Sequence, residues 1–223
     1  IGRCSALLAP SATRASMGAA METTLNELCQ LIKVCPDCDL SQTRTQAVPG
    51  EGPDDARVMF IGEGPGYYED KSGRPFVGQA GKFLDELLAA AGLERGQVYI
   101  TNVVKCRPPQ NRDPLKDEID ACDKWLRQQI ELIDPPVIVT LGRHSMEKFC
   151  AGESISRIHG QPRKVGARTI VPMFHPAAAL HQERYRSLIV EDFKRLPEIL
   201  ESARREQASA AQEAPPPQQG RLF

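Results

Sequence analysis

Four short apolar runs constrain this chain more than anything else in it. Arg57–Ile61, Val98–Val104, Val137–Leu141 and Thr169–Phe174 each read as a strand, and stretches of helical character separate them. Strands alternating with helices imply a parallel or mostly parallel sheet with helices on both faces and right-handed crossovers. The fold class that follows is α/β: a three-layer αβα arrangement around a central, mostly parallel four-stranded sheet, in a single domain. In such sheets ligands bind beyond the carboxyl ends of the strands. All four ends here carry chemically distinctive residues: Gly62-Glu63-Gly64-Pro65-Gly66, Thr101-Asn102, Gly142-Arg143 and His175-Pro176.

The helices between the strands are readable too. Leu25, Leu28, Cys29 and Ile32 share one face, so 22–33 is an amphipathic helix. Gly78–Ala91 is a helix stopped by Gly92. Pro114 suits the first turn of a helix running to about Ile133, which Pro135-Pro136 ends. A last helix covers Tyr185–Ala203. From about Gln207 the chain is rich in Gln, Ala and Pro and is expected to be disordered. The division is therefore 1–20 as a leader or mis-called start, 21–203 as the folded domain and 204–223 as a tail.

Two cysteine pairs lie around this sheet: Cys35-x2-Cys38, and Cys106-x15-Cys122. Cys106 follows the second strand and Cys122 sits early in a helix. Four thiolates so placed point to a metal site, and their spacing leaves zinc and a [4Fe–4S] cluster equally open. The remaining three of the seven cysteines have no such context; Cys29 and Cys150 read as core. An odd cysteine count without a convincing secretory signal argues against a disulfide scaffold and for a reducing, cytoplasmic compartment. No apolar run approaches the length of a membrane span.

The net charge of −1 exerts no global pull on nucleic acid, but it hides a local bias. Between Arg143 and Arg186 eight basic residues face three glutamates, the one-sided distribution that phosphate-backbone binding requires. GEGPG is a turn that lets a ligand approach main-chain N–H groups; it lacks the GK[ST] of a P-loop and the spacing of a dinucleotide fingerprint. Asn102 offers a planar donor–acceptor edge suited to a nucleobase. His175 is a candidate donor to developing negative charge. Phe76, between Pro75 and Gly78, is a candidate stacking platform.

Taken together, GEGPGYYEDKSGRPFVGQAGKFLDELL, VYITNVVKCRPPQNRDP, IVTLGR and MFHPAAAL resemble the family four, iron–sulfur uracil-DNA glycosylases, over about Met21 to Leu200. The resemblance implies a [4Fe–4S] cluster on Cys35, Cys38, Cys106 and Cys122. It implies that Phe76 stacks on a flipped uracil, Asn102 reads its edge and His175 faces its O2. Glu63 and Gly64 would line the scissile bond, with Glu63 positioning water, and Glu69 would stand at the C5 edge as a wall against thymine. Tyr67 and Tyr68 depart from relatives that carry acidic residues there.

The implied activity is monofunctional: hydrolysis of the N-glycosidic bond, leaving an abasic site for base excision repair. Uracil-containing DNA is the expected partner and a monomer the expected state. Arg143 and Arg184 are candidate phosphate contacts, and Leu180 or His181, in the stretch after His175-Pro176, a candidate minor-groove wedge. The terminal Gln219-Gly220-Arg221-Leu222-Phe223 resembles a sliding-clamp-binding peptide. Two other readings stay open at this point: a uracil- or damage-binding module with little turnover, and a zinc-braced nucleic-acid-binding protein without a base pocket.

Overall fold

A computed structural model describes residues 23–213. The proposed leader, 1–20, and the terminal QGRLF lie outside the described residues. The chain begins with α1 (Leu25–Val34), opened by a Thr24–Glu27 capping box. A short α2 (Leu40–Thr43) follows. Then β1 (Val58–Gly62) leads into α3 (Tyr67–Ser72) and α4 (Gln79–Ala90), and β2 (Tyr99–Asn102) into α5 (Lys116–Ile133). Next, β3 (Val137–Leu141) runs into α6 (Arg143–Glu147) and α7 (Ile155–Ile158). The hairpin of β4 (Arg163–Val165) and β5 (Arg168–Met173) precedes α8 (Ala177–His181), α9 (Arg184–Lys194) and α10 (Leu196–Glu213).

The sheet order is β2-β1-β3-β5-β4, parallel except for β4. The expected mostly parallel sheet is present, with five strands rather than four. The additional one, β4, pairs antiparallel with β5 at the edge. It is three residues long and carries Arg163 and Lys164, so it lacks the apolar run that marks the others; short charged strands are typical of sheet edges. Gly166, at φ 60°, makes the tight turn between the two strands.

β1, β2 and β3 are buried at every position, as strands covered on both faces must be. Alternation along each strand divides their side chains between two cores. Met59, Ile61, Ile138 and Ile170 pack towards α1 and α5. Val58, Phe60, Val139 and Val171 pack towards α4, α9 and α10. These are the three expected layers.

Local details differ from expectation. The stretch after GEGPG, to which the sequence assigns no element, holds α3, whose end Gly73 caps at φ 71°. Pro114 lies outside α5, which starts at Lys116 behind its N-cap Leu115. The last helix is two: α9 stops at Lys194 and α10 begins anew, with Pro197 in its first turn, where a missing N–H is tolerated. And α10 continues to Glu213, past 203.

The topology positions the site. From β1 the chain crosses to β2 on one side, while β3 pairs on the other, so the strand order reverses between β1 and β3. Crevices at such reversals are where doubly wound sheets bind ligands. Gly62 pairs with Asn102 in register, and the Gly142 N–H donates to the Met173 carbonyl at 2.8 Å, immediately before Phe174-His175. Four strand ends thus share one rim.

Candidate active site

A cleft of about 680 Å³ opens on that rim, lined by residues that include Glu63, Glu69, Phe76, Asn102, His175 and His181. Its floor depends on missing side chains. A Cβ on Gly62 would come within 2.4 Å of Asn102 Oδ1 and 2.7 Å of Phe76 Cζ. Only glycine at the end of β1 lets the Asn102 amide and the Phe76 ring approach each other.

Phe76 is held at φ 49°, a left-handed conformation that costs a non-glycine residue about 1–2 kcal/mol. Arg95 secures it. Its guanidinium donates to the Pro75 carbonyl at 2.5 Å and the Phe76 carbonyl at 3.2 Å, and is itself paired with Glu51 at 2.6 Å and Asp85 at 2.8 Å. Gly81 on α4 lies against the same carbonyl, where a Cβ would come within 1.9 Å. The ring is 6% exposed and stacks against His175 at a centroid distance of 5.5 Å.

His175 is oriented by its own turn. The Ala177 N–H donates to Nδ1 at 3.1 Å, so in the neutral ring the proton resides on Nε2. Burial lowers the imidazole pKa to about 4, against a smaller upward pull from Glu69. His175 is therefore a neutral N–H donor at physiological pH.

Glu69 lines the cleft, yet both of its oxygens are engaged. Oε1 accepts from the N–H groups of Val77 and Gly78 at 2.9 Å each, and Oε2 from Gly66 N–H at 3.1 Å. It pins α3 to the Phe76 loop and occupies the Gly66 N–H of the GEGPG turn.

Glu63 stands at the mouth between the ends of β1 and β3. Its Oε2 is 3.7 Å from His144 Nε2, which lies 3.2 Å from Asp113 Oδ2. Burial pushes the Glu63 carboxyl up; His144 and Arg143 pull it down, and Asp113 adds to the rise. Tyr67 and Tyr68 stand exposed on the rim, edge to face.

Of the proposed DNA-contacting residues, His181 alone is among those that line the cleft. Leu180 beside it is 46% exposed. Both belong to α8, so the connection after His175-Pro176 is helical at its start. Arg143 is tied to Asp113 at 3.1 Å, and Arg184 lies over the Tyr185 ring at 5.0 Å. Much of the basic excess of this segment is internally matched: Lys148 pairs with Asp123, Lys164 with Glu206, Arg168 with Asp134 and Arg186 with Glu86. The sequence bias overstates the charge open to DNA.

The four cysteines converge on one small cavity between α1, the segment after β2, and α5. Three N–H donors aim at their sulfurs: Arg44 Nη1 to Cys106 at 3.0 Å, Trp125 Nε1 to Cys35 at 3.3 Å and the Lys105 main chain to Cys122 at 3.3 Å. Cys150 is buried and Cys29 half-buried, both away from that cavity.

One group of residues has no counterpart in the motif reading. Lys105 is 1% exposed, and its ammonium donates at 2.7 Å to each of Thr101 Oγ1, the Asn102 carbonyl and Gln129 Oε1. Burial lowers its pKa to about 8, opposed by nearby thiols. The one sequence signal was a lysine set between Val103-Val104 and Cys106, where an apolar residue would suit a buried run.

The sheet is mostly parallel, and the cleft at its switch point is lined by Phe76, Asn102 and His175. Residues 49–195 match the model of the uracil DNA glycosylase superfamily, and the chain belongs to that superfamily. Within it the chain groups with the type-4 enzymes. It is 49% identical to the type-4 uracil-DNA glycosylase of Sulfurisphaera tokodaii, over 79% of this chain and 84% of that one. It is 44% identical to that of Thermotoga maritima, over 78% and 93%. With the enzyme of Saccharolobus solfataricus the identity is 47%, over 77% and 84%.

Proposed function

We infer that this protein excises uracil from DNA and that the cleft at the β1/β3 switch point is where it does so. The observation that carries the assignment to this cleft is the convergence of the Phe76 ring, the Asn102 amide and a neutral His175 N–H donor on one rim. A base inside a duplex is inaccessible, so uracil must be flipped out, at about a few kcal/mol. Phe76 offers a face for it to stack on. Uracil presents a donor at N3 and an acceptor at O4, which the Asn102 amide complements; cytosine presents the reverse and leaves both groups opposed. Glu69, locked by three N–H bonds, is a rigid carboxylate wall for the C5 edge, where thymine carries a methyl group.

Cleavage of the N-glycosidic bond sends its electron pair to the base and leaves positive charge on the sugar. His175 Nε2–H donates to the developing anion at O2 without first losing charge of its own. Glu63 at the mouth positions the water that adds to the sugar, and the proton this water releases balances the charge of the departing uracil anion. No lysine lines the cleft among the described residues, so no Schiff base to the sugar is proposed, and the activity is monofunctional.

Cys35, Cys38, Cys106 and Cys122 would hold a [4Fe–4S] cluster. The N–H donors aimed at three of the four sulfurs suit thiolates held by such a cluster. Its contribution here is to join α1, the segment after β2 and α5.

Leu180 and His181 would fill the gap left by the flipped base, with Arg143 and Arg184 near the phosphates. Residues 219–223 would bind a sliding clamp. We further propose a monomer in a reducing, cytoplasmic compartment, where thiolate ligands are kept from oxidation; among the described residues no helix is long and apolar enough to cross a membrane.

The deciding experiment incubates the protein with a uracil-containing oligonucleotide. Strand breakage only after alkali supports a monofunctional glycosylase. Breakage without alkali overturns the monofunctional assignment, and no breakage in either case overturns the enzyme.

A further inference from the structure

We propose that Lys105 is the positioning residue for Asn102, fixing the base-reading amide in register with the thiolate site. The inference rests on the reading of Asn102 given above and adds a residue that touches neither uracil nor sugar.

A fully buried lysine is costly unless each of its N–H groups finds an acceptor. Lys105 has three N–H groups and three acceptors, each at 2.7 Å. The acceptors are not free to move. Thr101 Oγ1 also lies 2.7 Å from the Pro49 carbonyl, and Gln129 Nε2 donates to that carbonyl at 2.8 Å and to the Tyr99 hydroxyl oxygen at 3.0 Å. Gln129 is 0% exposed and sits on α5, the helix that carries Cys122. The network therefore joins β2, α5 and the loop before β1.

Two features make it a device for placing Asn102 rather than general packing. The ammonium grips the Asn102 carbonyl, on the peptide that leaves the residue whose side chain faces the cleft. And the Lys105 main-chain N–H donates to Cys122 Sγ at 3.3 Å, so one residue holds the reader at its tip and the thiol site at its root. Asn102 Oδ1 sits in the space a Cβ on Gly62 would need, 2.4 Å from it, so a displacement of the Asn102 peptide shifts the amide within a close-fitting floor. Misplacement by about 1 Å commonly costs on the order of 100-fold in rate.

The test is a double-mutant cycle on the full chain with Lys105→Met and Asn102→Ala, read as the single-turnover rate of uracil release. Iron content and visible absorbance are recorded alongside. Lys105→Met is expected to lower the rate by about 30- to 100-fold with iron content unchanged. In the Asn102→Ala background the same change is expected to cost less than about threefold, because coupled residues are not additive. Losses that multiply independently, or a wild-type rate in Lys105→Met, overturn the proposal. A wild-type rate in Asn102→Ala alone instead overturns the reading of Asn102, so the two failures are distinguishable.

Binding supplies a readout that general destabilisation would not move. The preference for an oligonucleotide with 2′-fluoro-2′-deoxyuridine over the 2′-fluoro-2′-deoxycytidine equivalent is expected to fall at least about tenfold in Lys105→Met. An unchanged preference overturns the proposal. If Lys105→Met does not fold, Thr101→Val removes one acceptor at constant shape. A rate loss confined to the Asn102 background supports the proposal, and a wild-type rate or a loss independent of Asn102 overturns it.

Discussion

His175 shows how far one residue's chemistry is set by its neighbours. The Ala177 N–H chooses its tautomer, and burial holds it neutral, with a pKa of about 4. His175→Ala is expected to reduce uracil release by about 100-fold or more, the usual loss of an anion-stabilising donor, as measured by single-turnover kinetics. The same residue makes stability depend on pH. Its native pKa lies below the ordinary value of 6.5, so between pH 6.5 and about 4 the unfolded chain binds the extra proton. The stability contributed by neutral His175 is complete above pH 6.5 and is lost as the pH falls towards 4. The stability gap between wild type and His175→Ala is therefore expected to narrow over that window, as read by urea unfolding at successive pH values. A gap constant with pH contradicts a half-buried imidazole held neutral.

At the scale of elements, α3 and the Phe76 loop are one unit because Glu69 joins them. Its carboxylate accepts three main-chain N–H bonds, and bonds to charged groups contribute about 1.5–3 kcal/mol each at most. Glu69→Ala is expected to destabilise the fold by about 2–4 kcal/mol, visible as a lowered denaturation midpoint; a change under about 0.5 kcal/mol would show the brace to be dispensable. Such links explain which elements were legible in the sequence. β1, β3 and β5 are apolar runs buried on both faces, and their polar ends mark the rim, so the site's location follows from pattern alone. β4 is three residues long and charged, and α3 is six residues long behind a glycine turn, so neither has a periodicity to detect. The break before α10 was written in Pro197, but the apolar face continues across it and masks the stop. Lys105 and Gln129 lie 24 positions apart and become partners only when β2 and α5 pack together. A hydrogen bond of that kind leaves no local signature.

At the scale of the whole molecule, the cleft and the cysteines occupy different parts of one framework, with β2 and α5 in common. Cys35 and Cys38 follow α1, Cys106 follows β2 and Cys122 belongs to α5, so ligation of all four would close the N-terminal segment onto the body of the fold. Without it, α1 is retained mainly by Leu28 and Ile32 against the α5 side of the sheet. Cys35→Ala is accordingly expected to lose iron and visible absorbance and to lower stability by at least about 2 kcal/mol, as loss of a metal site does. The loss should be uneven. Limited proteolysis should cut first between α1 and β1, because that segment opens below the global unfolding free energy once its tie is gone. Asn102→Ala, which touches the cleft alone, should keep its colour and its protease resistance while losing uracil release. Mass spectrometry of the first fragments decides the matter: early cuts within α9 or α10 would show that the cysteines hold the whole fold together rather than its N-terminal segment.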